Sequence, residues 1–396
     1  MRNQSLNHLV WCGFVIIGVL FSSPAFALEI VAGPCLQNPT ETSMSIVWVT
    51  DVGCTSWVEY GWSEQTLDKK AFTSSHGLID ADQTIHRITI EGLTPASTYY
   101  YRICSKEILK FEAYKVTYGQ RLIGDICRFN TLAKNKPAFS FIVLNDIHQR
   151  NDLFKKLVEQ SASKPYDLVF LNGDFISDIN NASQIIDYAL KPCADLFAKT
   201  IPMIYVRGNH ETRGKYARML PDYLVLPNDR FYYAFDHGPV RFIIMDGGED
   251  KADENPAYSG LVDFDRYRIQ QKHWLQSEIQ SEAFKKALFK IVVVHIPPTP
   301  SKQWHGSDHL YEQWRPIFNE AKIDLMICGH THKYEVVQPK PGVSEYPVII
   351  GGKPADEEAT VIRVDVTQDK LDAVMTTDEG KTVGTYQVIR RSDTSH

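Results

Sequence analysis

Seven side chains able to hold a hard or borderline metal ion stand just past the ends of five apolar runs. Phe139 to Leu144 delivers Asn145-Asp146-Ile147-His148, and Leu168 to Leu171 delivers Asn172-Gly173-Asp174. Ile201 to Tyr205 leads into Val206-Arg207-Gly208-Asn209-His210-Glu211. Ile291 to Val294 ends in His295, and Ile323 to Cys328 in Gly329-His330-Thr331-His332. Short runs of this kind read as buried strands, and open α/β sheets bind ligands at the carboxyl ends of their strands. Any one of these ends reads as an ordinary turn. Five together are not explained by packing, which gains nothing from Asp and His there. Asp146, His148, Asp174, Asn209, His295, His330 and His332 offer two carboxylates, one amide and four imidazoles. That donor set suits Zn, Mn, Fe or Ni rather than Cu(I) or an iron–sulfur cluster. It is too large for one tetrahedral ion and suits two ions about 3.5–4 Å apart, sharing a carboxylate and a water.

The elements that must position these donors alternate. After Lys134-Asn135-Lys136-Pro137, a polar linker, strands and helices follow one another to the end of the chain. Helical periodicity covers Leu153 to Gln160, the region from Ala182 to Lys199 with an interruption near Pro192, and stretches around His273 and Trp314. Such alternation predicts a layered α/β domain over residues 134–396. Residues 28–133 read differently, as short β-rich segments such as Ser45 to Thr50, Thr55 to Tyr60, His86 to Ile90 and Thr98 to Ile103. Their spacing predicts an all-β sandwich. Within it, Gly92-Leu93-Thr94-Pro95-Ala96-Ser97-Thr98-Tyr99 resembles the corner of fibronectin type III domains. His76 and His86 have no donor partners nearby in sequence and read as structural or exposed. Cys104 and Cys127 fall on neighbouring strands but on opposite parities, so a disulfide between them would need a bulge.

The five motifs in order (D-x-H, G-D, G-N-H-E, a strand-borne H and G-H-x-H) resemble the calcineurin-like metallophosphoesterase family from about Phe139 to Tyr334. The resemblance implies a four-layer αββα fold. It implies that Asp146, His148 and His332 hold one metal, that Asn209, His295 and His330 hold the other, and that Asp174 bridges them. His210 would meet the leaving group without binding metal, and Glu211 would orient it. The β-rich domain in front is similar to that of purple acid phosphatases. That subgroup has D-x-G where this chain has His148, and a tyrosine three residues after the bridging Asp where this chain has Ser177. An imidazole in place of a phenolate favours two divalent ions, Zn, Mn or Fe(II), over an Fe(III)–tyrosinate centre.

The implied chemistry is in-line hydrolysis of a phosphoric ester by water activated between two metals. A phosphomonoesterase acting on a phosphorylated small molecule is the leading expectation. A phosphodiesterase acting on nucleotides or phospholipid headgroups comes second, and a non-catalytic surface-binding protein third. Candidate substrate contacts are Arg207, set against a structural ion pair that is favoured for it, and Trp304 and His305, in a loop rich in Pro, Ser and Gly.

Residues 1–27 read as a cleavable secretory signal: one basic residue, an apolar run from Leu9 to Phe21, and Ala25-Phe26-Ala27 at its end. The run is too short to span a bilayer, and no later stretch is longer, so a secreted or periplasmic protein without a membrane span is expected. Net charge is −6, from 42 basic and 48 acidic residues, with no basic stripe, which argues against a nucleic-acid-binding surface. Oligomeric state leaves no mark in the sequence.

Overall fold

The computed structural model describes residues 27–301 and 303–391. Residues 1–26, most of the expected signal, lie outside the described residues. Among those described, no helix is long and apolar enough to cross a membrane.

Two mixed sheets, each with a parallel centre and antiparallel strands toward an edge, face each other in the larger unit. The first runs in the order 382–389, 370–377, 360–367, 138–144, 168–172, 203–206. The second runs 233–237, 240–245, 289–294, 325–328, 348–350, 335–337. Strand residues alternate between two apolar environments, which is why the runs are continuously hydrophobic. Phe141, Val143, Phe170, Ile204 and Val206 meet Phe242, Ile244, Ile291, Val293 and Ile327 in a core between the sheets. Ile142, Leu144, Val169, Leu171 and Tyr205 face outward onto Leu153, Phe154, Leu157 and the helical segment 182–198. On the far side, Ile243, Met245, Val292, Val294 and Met326 pack on Leu275, Leu310, Trp314 and Phe318. The layers are therefore helix, sheet, sheet, helix, the four-layer arrangement that the family resemblance implies.

Pro192 does not interrupt its helix. Residues 182–198 stay helical, with π-helical turns at Ile186–Leu190 and Ala194–Ala198 on either side of it. Wider turns of this kind let the chain carry a residue that has no N–H to donate. The helix expected around Trp314 is two helices, His305–Gln313 and Arg315–Ala321, that meet at that residue.

The first unit is β-rich, and its corner forms as expected: Leu93 and Tyr99 are buried, and the Tyr99 hydroxyl accepts from the Thr94 N–H at 3.0 Å. Cys127 lies opposite Tyr101 and Cys104 opposite Trp57, and both thiols are free. What the sequence does not show is how the units join. Strand Ile30–Gln37 pairs with Met44–Gly61 and also, through Gln37 opposite Met203, with strand Met203–Val206. One hydrogen-bonded sheet thus crosses the boundary. Tyr101 adds to it by donating to the Lys199 carbonyl at 2.8 Å.

His86 is buried in this first unit, with Nε2 3.0 Å from the Thr50 hydroxyl. Burial pulls it down to about 4 from its ordinary 6.5. The unfolded chain therefore takes up this proton first as pH falls, and the stability lost between 6.5 and 4 amounts to at most about 3 kcal/mol. Thermal unfolding of wild type and His86→Gln should show the gap between them narrowing as pH drops from 7 to 4.5. A pH-independent gap would contradict this.

Candidate metal centre

The five strand ends converge at the carboxyl edge shared by the two sheets. Reaching it requires unusual backbone: Asp146, His148, Asp174, His330 and His332 all have φ between +46 and +71°. Non-glycine residues in this region are strained, typically by about 1–3 kcal/mol each, and such strain gathers at functional sites. Two glycines make room for the donors. A Cβ on Gly173 would stand 2.4 Å from His295 Nδ1, and one on Gly329 would stand 2.5 Å from Asp146 Oδ2.

Two groups of donors result, and Asp174 belongs to both: Asp146, His148, Asp174 and His332 in one, Asp174, His295 and His330 in the other. His332 Nε2 is 3.3 Å from Asp146 Oδ1 and 3.3 Å from His148 Nε2. His148 Nε2 is 3.8 Å from Asp174 Oδ2, and His295 Nε2 is 3.0 Å from the same oxygen. Asn209 Oδ1 lies 2.9 Å from His330 Nδ1. All seven residues singled out by the sequence are thus in one place.

The surroundings fit a pair of cations. Asp146 Oδ1, His295 Nε2 and His330 Nε2 are buried and form no hydrogen bond, an arrangement that is costly without a ligand. His295 Nδ1 meets the Asn172 carbonyl at 2.8 Å, which fixes the ring with Nε2 turned to the carboxylates. Burial lowers His295, but Asp174 and Asp146 outweigh it and hold the imidazole at about 10. That is the mark of buried negative charge seeking a cation.

His210 sits at the rim, its Nε2 3.9 Å from Asp174 Oδ2 and its Nδ1 2.8 Å from the Ser177 carbonyl. Glu211 does not orient it. This carboxylate is fully buried and accepts from four backbone N–H groups, those of Asp174, Phe175, Ile176 and Gly208. Its place is to tie two donor loops together. Arg213 touches His210 instead, its Nη1 2.9 Å from Nε2, and nothing in the sequence singles this arginine out. Glu249 holds Arg213 in a two-pronged pair at 2.6 and 3.1 Å.

Of the candidate substrate contacts, Arg207 is committed to Asp246 through two nitrogens, at 3.0 and 2.6 Å, and lies over the Phe231 ring. Trp304 does reach the centre, its ring 4.7 Å from that of His330. His305 turns away to Asp265 at 2.8 Å, where His309 joins it. Two further residues support the donors without being ligand candidates themselves. Asn145 donates to Asp146 Oδ2 at 2.6 Å, and the Ser177 hydroxyl lies 3.4 Å from His148 Nδ1. A hollow of 580 Å³ lies at the other end of the strands, around Lys134, Gly238 and Leu288, and holds none of these donors.

Comparison with known proteins agrees with this geometry. The model of the calcineurin-like phosphoesterase family matches residues 139–334, and that of the purple acid phosphatase N-terminal domain matches residues 35–117. Purple acid phosphatase 21 of Arabidopsis thaliana is 24% identical over 75% of this chain and 64% of its own length. Acid phosphatase type 7 of Homo sapiens is 22% identical over 80% of this chain and 72% of its own. The chain thus spans under two thirds of the length of the first of these relatives. Among solved structures, a purple acid phosphatase from yellow lupin seeds superposes with a TM-score of 0.67 at 14% identity, over 90% of this chain and 74% of that one. PhoD superposes with a TM-score of 0.62 at 13% identity, over 91% and 92%. The chain belongs to the calcineurin-like phosphoesterases and carries an N-terminal domain of the purple acid phosphatase type.

Proposed function

We propose that the protein is an exported, dinuclear-metal hydrolase of phosphoric monoesters. The observation that carries the reading is the pair of donor groups joined at Asp174. Asp146, His148 and His332 would hold one divalent ion, Asn209, His295 and His330 the other, with Asp174 common to both. Bound there, such ions supply a water acidic enough to attack at neutral pH and positive charge for the phosphoryl oxygens. Zn, Mn or Fe(II) fits a set in which a neutral imidazole, His148, stands beside a serine, Ser177, instead of a phenolate.

The chain's own residues do the rest. Asn172 and Asn145 fix the orientation of His295 and Asp146, so little rearrangement is needed as charge develops. With Nδ1 engaged by the Ser177 carbonyl, His210 presents Nε2 to the departing oxygen. In this structure Nε2 accepts from Arg213 Nη1 at 2.9 Å, a contact that the substrate oxygen would replace. His210→Ala should leave metal content near normal and lower kcat by about 10²-fold for alkyl phosphates, whose oxygen needs help to leave. Aryl phosphates should lose less. Loss of metal from that variant would make His210 a ligand and overturn this assignment. Rates on paired alkyl mono- and diesters decide between this reading and a phosphodiesterase, which the same donor set would also serve.

A further inference from the structure

Beyond His210 the structure opens into a cavity of 440 Å³ formed by the turn after the G-N-H-E motif and by the loop that carries Glu249 and Tyr258. Arg213 is the wall it shares with the centre, since that side chain lines the cavity and touches His210 Nε2. Lys215, Arg218 and Lys251 line it as well. Much of this charge is internally matched. Glu249, itself steadied by the Tyr258 hydroxyl at 2.8 Å, neutralises Arg213, and Asp250 neutralises Lys251 at 2.8 Å. Arg218 donates only to a neutral group, the Leu261 carbonyl, at 3.1 Å. Lys215 and Arg218 are exposed, and among the described residues neither pairs with a carboxylate. Two positive charges are left over, which suits one dianionic phosphoryl group.

We propose that this cavity is a subsite for a second phosphate, carried on the leaving group of the substrate. The inference rests on the function proposed above and narrows its substrate class to small molecules with at least two phosphoryl groups. The phosphate to be cleaved sits against the seven donors, its ester oxygen faces His210 Nε2, and the leaving group runs past Arg213 toward Lys215 and Arg218. Binding energy gained there acts on a part of the substrate remote from the reacting bond. Lys and Arg on the open side supply the attraction, and the two-pronged pairing of half-buried Arg213 with buried Glu249 keeps the approach rigid.

Alkanediol bisphosphates of two to six carbons, compared with the matching alkyl monophosphates, test this on the metal-loaded protein. For the best chain length, kcat/KM should exceed that of the monophosphate by at least tenfold. Lys215→Ala with Arg218→Gln should abolish the difference while hydrolysis of the monophosphate is unchanged, which also shows that the variant is folded. The single variant Lys215→Glu, at an exposed position, should give most of the same loss. Calorimetric binding of the corresponding alkane bisphosphonates, which cannot be hydrolysed, should weaken in parallel. Absence of discrimination at every chain length, or discrimination that survives in the variants, overturns the subsite. Tight bisphosphonate binding lost in the variants, with no ester hydrolysed, would leave the subsite standing and overturn the proposed hydrolase instead.

Discussion

Asp174→Ala should lower phosphoester hydrolysis by at least about 10³-fold, because one side chain is asked to serve both halves of the centre. Its Oδ2 lies 3.0 Å from His295 Nε2 and 3.8 Å from His148 Nε2, and its Oδ1 accepts from the His210 N–H at 3.0 Å. Removing it would take a ligand from each of the two proposed metals and loosen the loop carrying Asn209 and His210. Metal content should fall from two equivalents to one or fewer. Stability of the metal-free protein should fall as well: burial pushes the Asp174 carboxyl up, but His295, His210 and His148 outweigh it and hold it below the usual range, and alanine would leave the His210 N–H and the His295 imidazole without this partner. Kinetics, metal analysis and thermal unfolding on the stripped variant separate these effects. A variant with two metals and normal turnover would remove Asp174 from the bridging position.

Glu211→Ala should be the most destabilising single change in the loops that build the site. Oε1 accepts from the N–H groups of Phe175 and Ile176 at 2.7 and 3.1 Å, and Oε2 from those of Asp174 and Gly208, both at 3.0 Å. Alanine would leave four buried donors without a partner, and a loss of about 3–5 kcal/mol follows from breaking a buried charged network. Glutamine should rescue little, since its NH₂ would face two N–H donors where an acceptor is needed. Both variants should unfold well below the wild type, and activity should fall because the Asp174 and Gly208 loops lose their common anchor. Unchanged unfolding with lost activity would instead return Glu211 to the role of orienting His210.

Glu211 also shows where reading the sequence stops. A carboxylate beside a catalytic imidazole invites the inference that the two pair, and only the fold reveals that the side chain points back to four main-chain donors. Arg207 and Arg213 flank the same motif and look alike in sequence. The first is drawn under the surface by Asp246 and Phe231, and the second is turned to His210 by Glu249. Asp246 and Glu249 lie almost forty residues away along the chain, so neither pairing is a local property. The same holds for the single pairing of Gln37 with Met203 that makes one sheet of two units. By contrast, the strands were legible because both of their faces are buried, which forces uninterrupted apolar runs and makes each break conspicuous. The donors were legible because hard ligands at five such breaks have no packing use. Their left-handed backbone was not: Asp and His are enriched in that region, yet only a small minority of them adopt it, so residue type alone does not mark Asp146, His148 and His330.

The central claim is that two metals, held by the seven residues at the strand ends, carry the chemistry. The most direct measurement is hydrolysis of an aryl phosphate by chelator-stripped protein as Zn, Mn or Fe(II) is added back, with bound metal counted in the same samples. The stripped protein should be inactive, one equivalent should restore little, and the rate should reach its plateau at two equivalents per chain. Full turnover without metal, or a plateau at one equivalent, would contradict the account.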